Sequence, residues 1–131
     1  MTLIATPGAA DADSYLTLAA ADALRDQDIG PEAEAWRKTD STDKEAILRR
    51  ATREVDAHVD SGWPPYDSDQ SLIFPRDTRD VDAAGDPFIP RKVVLATYQQ
   101  AIYIAKNKDV LGAMNAHRAT SGSVDPDSSY G

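Results

Sequence analysis

The clearest hydrophobic pattern in the chain predicts a long amphipathic helix near its middle. Apolar side chains recur at intervals of four residues, at Ile47, Ala51, Val55 and Val59. This spacing places them on one face of an α-helix. Thr42 and Glu45 have the spacing of a capping box, in which each side chain binds a backbone N–H group of the first turn. The pattern therefore predicts a helix over residues 43–60, which Gly62 and the prolines after it bring to an end.

A second long helix is predicted over residues 91–107, directly after Pro90. Its apolar residues form one broad face, made of Val94, Leu95, Tyr98, Ala101, Ile102 and Ala105. A separate flank carries Val93, Thr97 and Ile104. A helix that is apolar on more than one side is either central in its own fold or shared with a neighbouring subunit. Both interpretations stay open here, and the flank is the candidate subunit interface.

Shorter helices are predicted before the first long one. Thr17 suits the N-cap of an alanine-rich helix over about residues 18–27. Gly30 and Pro31 close that helix and open another short helical segment over residues 32–38. The four helices predict a mainly α fold, arranged as a small helical bundle.

The segment between the two long helices has a different composition. Residues 63–90 combine prolines and aspartates with two short apolar pieces. A segment of this length is too long for a structureless connection inside a compact domain. We therefore predict an ordered, protruding loop that contains a β-hairpin with its tip near Gly85.

The length of 131 residues fits one compact domain. We expect residues 1–108, with the loop, to form that helical domain, and residues 109–131 to form a C-terminal docking tail. The tail is polar and rich in small residues, so it is predicted to be disordered in isolation. Four apolar residues could anchor it on a partner: Val110, Leu111, Met114 and Tyr130.

The charge balance argues against a general nucleic-acid binder. The chain has 14 basic and 22 acidic residues, a net charge of −8, whereas nucleic-acid binders usually display a basic face. The net-positive stretch is Arg91–Lys108, with four basic and no acidic residues. Three arginines of the first long helix each have an acidic residue one turn away: Arg49, Arg50 and Arg53.

Residues for catalysis or metal binding are not found in a recognisable arrangement. The absence of cysteine excludes disulfides and thiolate metal sites. His58 and His117 lack further ligands at metal spacing. Residues 80–91 resemble a calcium loop, but Ala84 and Arg91 occupy positions that need oxygen ligands. We therefore expect no enzymatic activity, no metal and no cofactor. No apolar run approaches the roughly 20 residues of a membrane span, so no membrane partner is expected.

Several local patterns occur together in a characteristic order. Asp11–Tyr15 precedes the alanine-rich helix, and Lys44–Thr52 lies on the capped helix. Trp63, Leu72–Arg76, the acidic hairpin with Gly85, and Ile89–Pro90 follow in that order. Over about residues 11–107 this order resembles the head–tail connector (adaptor) proteins of long-tailed bacteriophages. Sequences of this type are often labelled DnaT-like single-stranded-DNA-binding proteins.

The resemblance implies a structural role in a virion, at the head–tail junction, for a protein made in the cytoplasm of a bacterial host. Copies would form a dodecameric ring that joins the portal protein to a neck or tail protein. Double-stranded DNA would pass through the lumen without specific binding. The tail anchors named above would dock on the portal, although members of this family often end in a longer glycine-containing stretch and a final strand. The loop interface would consist of Trp63, Phe74, Pro75 and Arg76.

Two loop residues have more specific expected roles. Phe74 is expected to anchor the loop on the bundle. Arg76 is expected to pair with a nearby acidic group or with a neighbouring subunit. The leading interpretation is thus a non-enzymatic structural connector of a tailed phage.

The alternative is a single-stranded-DNA-binding accessory protein of replication. Such a protein needs a basic surface with exposed aromatic residues on which bases can stack. Aromatic residues make up 7% of the chain. Tyr98 is expected in the core, which leaves Tyr103 as the stacking candidate on the basic helix.

Overall fold

Helices supply the regular secondary structure of the chain. The structure, a computed structural model, describes residues 3–59 and 62–121, with side chains described as far as residue 108. Within these residues there are four helices: α1 (Leu18–Asp26), α2 (Pro31–Lys38), α3 (Ser41–His58) and α4 (Arg91–Ser121). The predicted mainly α fold is confirmed.

The two short helices begin where local capping signals predict. Thr17 is the N-cap of α1, and its hydroxyl accepts a hydrogen bond from the Ala20 amide at 3.1 Å. Gly30 precedes α2 with a φ of 120°, a conformation that favours glycine. The indole of Trp36 is fully buried and donates to the Asp22 carboxylate at 3.0 Å, which ties α2 to α1.

Helix α3 begins before the predicted capping box. Asp40 is its N-cap, and the aspartate side chain accepts from the Asp43 amide at 2.8 Å. The predicted box of Thr42 and Glu45 is therefore wrong, because an aspartate placed two residues earlier caps the helix as well as a threonine would. The helix also ends before residue 60, since Val59 is already extended.

Helix α4 is the central helix of the fold, because it packs against both α2 and α3. Thr97 and Ile104 are buried, with 0% and 4% of their surface exposed, and Val93 is partly buried against the core. The expectation that this flank is left uncovered for a neighbouring subunit is corrected. Helices of the same chain cover α4 from two directions, so Thr97 and Ile104 have no free surface to offer.

Helix α4 extends beyond its predicted end at residue 107. Its backbone is helical to Ser121, in a stretch rich in alanine and other helix-forming residues and without proline. The expected disorder from residue 109 is therefore corrected as far as Ser121. The side chains of Val110, Leu111 and Met114, and the whole of Tyr130, lie outside the described residues. The division of the chain at residue 108 stays a prediction.

The loop between α3 and α4 is ordered by turns rather than by strands. In its described part, residues 62–90, two isolated antiparallel bridges pair Pro65 with Arg76 and Val81 with Pro87. Each bridge includes a proline, which has no N–H group to continue a ladder. The expected hairpin is thus reduced to a turn, in which Gly85 has a φ of 90°.

A polar cluster around Tyr15 joins three distant parts of the chain. The Tyr15 hydroxyl donates to Asp56 on α3 and accepts from the Phe74 amide of the loop at 3.1 Å. The second oxygen of Asp56 accepts from the Ile73 amide at 3.3 Å. The amide of Tyr15 itself donates to the Thr52 hydroxyl at 3.2 Å. We call Tyr15, Asp56 and these two loop amides the Tyr15 hub.

Burial determines the protonation of the hub. Desolvation raises the pKa of Tyr15 far above its usual value, and the hydrogen bond to Asp56 raises it further. Desolvation also raises the pKa of Asp56, although the hydrogen bonds from Tyr15 and Ile73 act in the opposite direction. The phenol therefore remains a hydrogen-bond donor across the physiological pH range.

The loop is anchored by apolar contacts at the same place. Phe74 is 6% exposed, belongs to the core, and packs edge-on against the Tyr15 ring at a centroid distance of 5.9 Å. Pro75 follows through a cis peptide bond and is fully buried. The expected role of Phe74 as the anchor of the loop is confirmed.

Replacing Tyr15 with phenylalanine should lower the free energy of unfolding by about 1–3 kcal/mol, because Asp56 and the Phe74 amide would lose a buried partner. Urea denaturation followed by circular dichroism would measure the change. Tyr66→Phe is the matched control. Because the Tyr66 ring is exposed, removal of its hydroxyl should change the free energy of unfolding by no more than about 0.5 kcal/mol. Equal effects of the two substitutions would contradict the role of the hub.

Candidate nucleic-acid interface

One face of α4 remains exposed along most of its described length. Apart from Arg91 at the start of the helix, the exposed residues follow alternating intervals of four and three: Lys92, Ala96, Gln99, Tyr103 and Lys106. Helical residues at these intervals lie above one another, so they form a single row about 21 Å long. We call this row the α4 stripe. Tyr103 is 56% exposed, more than any other aromatic side chain in the described residues.

The lysines of the stripe are not neutralised within the described chain. Neither Lys92 nor Lys106 has a carboxylate within 4.0 Å there, whereas Lys108, on another side of the helix, pairs with Asp43 at 3.9 Å. Basic residues elsewhere are mostly paired: Arg25, Arg37, Lys44, Arg49, Arg50 and Arg76. The stripe therefore combines uncompensated positive charge with an exposed aromatic ring.

Two of the three α3 arginines that were expected to be neutralised form ion pairs, one of them with the predicted partner, whereas Arg53 forms none with a described residue. Arg50 pairs with Glu54 at 2.9 Å. Arg49 instead pairs with Asp13 at 2.8 Å. Burial raises the pKa of Asp13, but hydrogen bonds from the Ile4 amide and from Arg49 outweigh this and hold that pKa below its usual value. Arg49 thus holds the N-terminal segment rather than an external anion.

A groove runs between α3 and α4 beside the stripe. Its volume is about 590 Å³, and it is lined by Glu54, Val55, His58, Val59, Ala96 and Gln100. The Gln100 amide donates to Glu54 across the groove. Ala96 belongs to both the groove and the α4 stripe, so the two are continuous. We call this the α3–α4 groove.

A second pocket continues this surface towards the loop. It has a volume of about 390 Å³ and is lined by Val59, Gly62, Trp63, Pro65, Gln70, Ser71, Leu72 and Ile73. Val59 lines both this loop pocket and the α3–α4 groove. Trp63 is 41% exposed, and its indole N–H donates to the Asp77 carbonyl at 2.6 Å. The guanidinium carbon of Arg79 lies over the Trp63 ring, 4.5 Å from its centre.

The loop contains an ion pair between Arg76 and Asp80. Arg76 donates to both carboxylate oxygens of Asp80, at 2.8 and 3.0 Å. The Asp80 side chain is 3% exposed and the Arg76 side chain 25%, so the carboxylate is withdrawn from water while the guanidinium is half-buried. The expectation that Arg76 pairs with a nearby acidic group is confirmed.

In the segment that resembles a calcium loop, the carboxylates of Asp80 and Asp82 bind other groups of the same loop. Asp80 binds Arg76, and Asp82 accepts hydrogen bonds from the amides of Ala84 and Asp86, each at 2.9 Å. In the part of the chain that the structure describes, no group of three or more His, Cys, Asp or Glu residues could hold a metal ion.

The residues predicted as the loop interface do not form one surface. Trp63 is exposed and Arg76 is half-buried, whereas Phe74 and Pro75 lie inside the fold. The sequence contains the spacing of the α4 stripe, and that spacing could have shown that the lysines lie beside Tyr103. No pattern in the sequence predicts the contact between Trp63 and Arg79, because that contact depends on how the loop folds.

A family model described as "putative DnaT-like ssDNA binding protein" matches residues 1–127. The chain belongs to this DnaT-like family. No curated protein and no solved structure matches it. The family description corrects the leading interpretation of a phage head–tail connector, for which the comparisons provide no support, and it agrees with the alternative of single-stranded-DNA binding. Among the described residues of this DnaT-like protein, no helix has the length and apolar character needed to span a membrane.

The ion pair of the loop leads to a stability prediction. Arg76→Gln should lower the free energy of unfolding by about 3 kcal/mol, because it leaves the buried Asp80 carboxylate without its cation. Chemical denaturation would measure the loss. Arg50→Gln breaks a much more exposed pair and should cost less than about 1 kcal/mol. A loss for Arg76→Gln as small as that for Arg50→Gln would show that the buried pair does not stabilise the loop.

Proposed function

We propose that this protein is a non-enzymatic accessory protein of DNA replication that binds single-stranded DNA through the α4 stripe. The description of the DnaT-like family supports the class of ligand. The observation that carries the proposal is the position of Tyr103, which is exposed on one face of α4 between lysines that form no ion pair with the described residues.

The stripe has the two chemical components that such binding requires. A base can stack on the exposed ring of Tyr103, an interaction worth about 1–3 kcal/mol per base in single-strand binders. Lys92 and Lys106 lie on either side of that ring along the helix and can contact phosphates. Stacking tolerates any base, so we expect little sequence preference.

The net charge of −8 affects where on the surface DNA binds and how strongly it binds. Acidic residues elsewhere on the surface repel phosphates, whereas residues 91–108 carry four basic residues and no acidic ones. The strand is therefore directed to α4 by the whole charge distribution. With few phosphate contacts, we expect modest affinity that falls steeply as salt increases.

The partners of the connector interpretation are not carried into this proposal. The ring, the portal protein and the neck or tail protein were expected as parts of that structural role. Two of the residues that would have formed the subunit interface, Thr97 and Ile104, are buried within the chain itself.

Removal of the Tyr103 ring should weaken binding. Tyr103→Ala should lower the affinity for a labelled oligo(dT) by about fivefold or more, because base stacking is lost. Tyr103→Phe retains a stacking ring and should bind like the unaltered protein. Fluorescence anisotropy at low salt would measure both, with thermal melting as a check on folding. Unchanged binding by Tyr103→Ala would contradict the assignment of this ring.

Removal of the stripe lysines should change the salt dependence. Each of Lys92→Gln and Lys106→Gln should reduce the slope of log affinity against log salt by about 0.7, the value for one phosphate contact on a single strand. Lys38→Gln, at an exposed lysine of α2 outside the stripe, is the control and should leave the slope unchanged. An unaltered protein that binds no oligonucleotide even at low salt would overturn the proposed function.

A further inference from the structure

We propose that the α3–α4 groove binds one base of the strand that lies on the α4 stripe, and that it favours a base with an exocyclic amino group over thymine. This inference rests on the proposed function, because it requires a strand bound on α4. It assigns the groove a class of ligand, and it adds a preference at one position to the stacking on Tyr103, which does not distinguish between bases.

The groove opens onto the stripe itself. Ala96 lines the groove and is also an exposed residue of the stripe. It lies about 6 Å along the helix from Lys92 and about 10 Å from Tyr103. A strand that contacts both of these residues therefore passes over Ala96, where the exposed methyl group marks the entrance of the groove.

The groove has the size and the walls that suit a flat ring. Its volume of about 590 Å³ lies within the range of about 300–1,000 Å³ that is typical of small-molecule sites. Val55 and Val59 are half-buried and, with Ala96, form its apolar part. These side chains can pack against the face of a base, so the polar groups of the groove are left to contact the edge of that base.

The amide of Gln100 has a fixed orientation. Its Nε2 donates to the Glu54 carboxylate. Because a carboxylate only accepts hydrogen bonds, Oε1 is the amide atom that points away from Glu54. Oε1 has no partner among the described residues and remains accessible to solvent. Gln100 therefore offers a free acceptor in the groove.

The ring of His58 offers a second acceptor. Its Nδ1 lies 2.8 Å from the Glu54 carbonyl oxygen. Because that oxygen only accepts, Nδ1 carries the hydrogen, and in the neutral ring Nε2 is then an acceptor. The His58 side chain is exposed, and its Nε2 forms no hydrogen bond with the described part of the chain.

The free polar atoms of the groove therefore favour a ligand that donates hydrogen bonds. The acceptors on Gln100 and His58 outnumber the one remaining N–H of the Gln100 amide. An exocyclic amino group supplies two N–H donors to these acceptors, whereas the O4 carbonyl of thymine would face them without a hydrogen bond. Adenine and cytosine both carry such an amino group.

The charges around the groove are compatible with a bound strand. The Glu54 carboxylate pairs with Arg50 at 2.9 Å, which offsets the repulsion between that carboxylate and a phosphate. Lys92, one helical turn from Ala96, has no ion-pair partner in the part of the chain that the structure describes. It can contact the phosphate of the nucleotide whose base enters the groove.

The affinities of short oligonucleotides that differ in one base test this inference. The unaltered protein should bind an oligo(dT) with one central dC about fivefold more tightly than the same oligo(dT) without the replacement. Fluorescence anisotropy at low salt would measure both affinities. Cytosine and thymine are pyrimidines of similar size, so this comparison isolates the amino group. One central dA should give a gain in the same direction.

A charged variant tests whether the preference arises in the groove. Gln100→Lys keeps a contact with Glu54, as an ion pair, but replaces the acceptor with donors, so the ratio of the dC and dT affinities should fall to about one. Gln27→Lys adds the same charge at an exposed residue outside the stripe and the groove, and it should retain the ratio of the unaltered protein. Thermal melting would check that both variants fold.

Equal affinities of the unaltered protein for the dC and dT oligonucleotides would overturn the inference and leave the proposed function intact. A preference for dC that persists in Gln100→Lys would also overturn it, because the preference would then arise outside the groove. No binding of any oligonucleotide by the unaltered protein would overturn both proposals.

Discussion

The hydroxyl of Tyr15 lies where the N-terminal segment, α3 and the long loop meet, and the position of the loop depends on it. It donates to Asp56 and accepts from the Phe74 amide, two groups that burial would otherwise leave without water. Because the phenol keeps its proton, both hydrogen bonds persist together. The loop is therefore held against the end of α3, which brings Trp63 and Val59 into one pocket.

The central position of α4 explains why its exposed surface is so narrow. Contacts with α2 and α3 cover much of its described part, residues 91–108, including Thr97 and Ile104. Beyond the first residue, Arg91, the side chains that remain exposed up to residue 108 form one row, which contains Tyr103 and two lysines that have no ion-pair partner among the described residues. The same burial that removes the expected subunit interface thus concentrates positive charge and an aromatic ring on one accessible line.

Local signals in the sequence predict the elements whose contacts are local. The Thr17 cap of α1 involves residues three apart, and it forms as expected. The start of α3 was misplaced because Asp40 and Thr42 are both good caps and the sequence contains no information on which is used. Contacts of the loop, such as Tyr15 with Phe74, join residues 59 apart, and no periodicity encodes them. The resemblance identified the family label, but the interpretation as a connector was wrong.

The net charge of the chain was also a poor guide to its candidate site, and the ion pairs show why. Several acidic side chains serve the fold itself: Asp13 holds Arg49, Asp22 holds Lys44, and Asp80 holds Arg76. The two opposite charges of each pair offset each other at a distance. The electrostatic potential that an approaching phosphate meets is therefore set mainly by charges that have no ion-pair partner. On α4 those charges are positive. A chain with an acidic total can therefore present a basic line, and the pairing of each charge, rather than the sum, determines which ligand that line can bind.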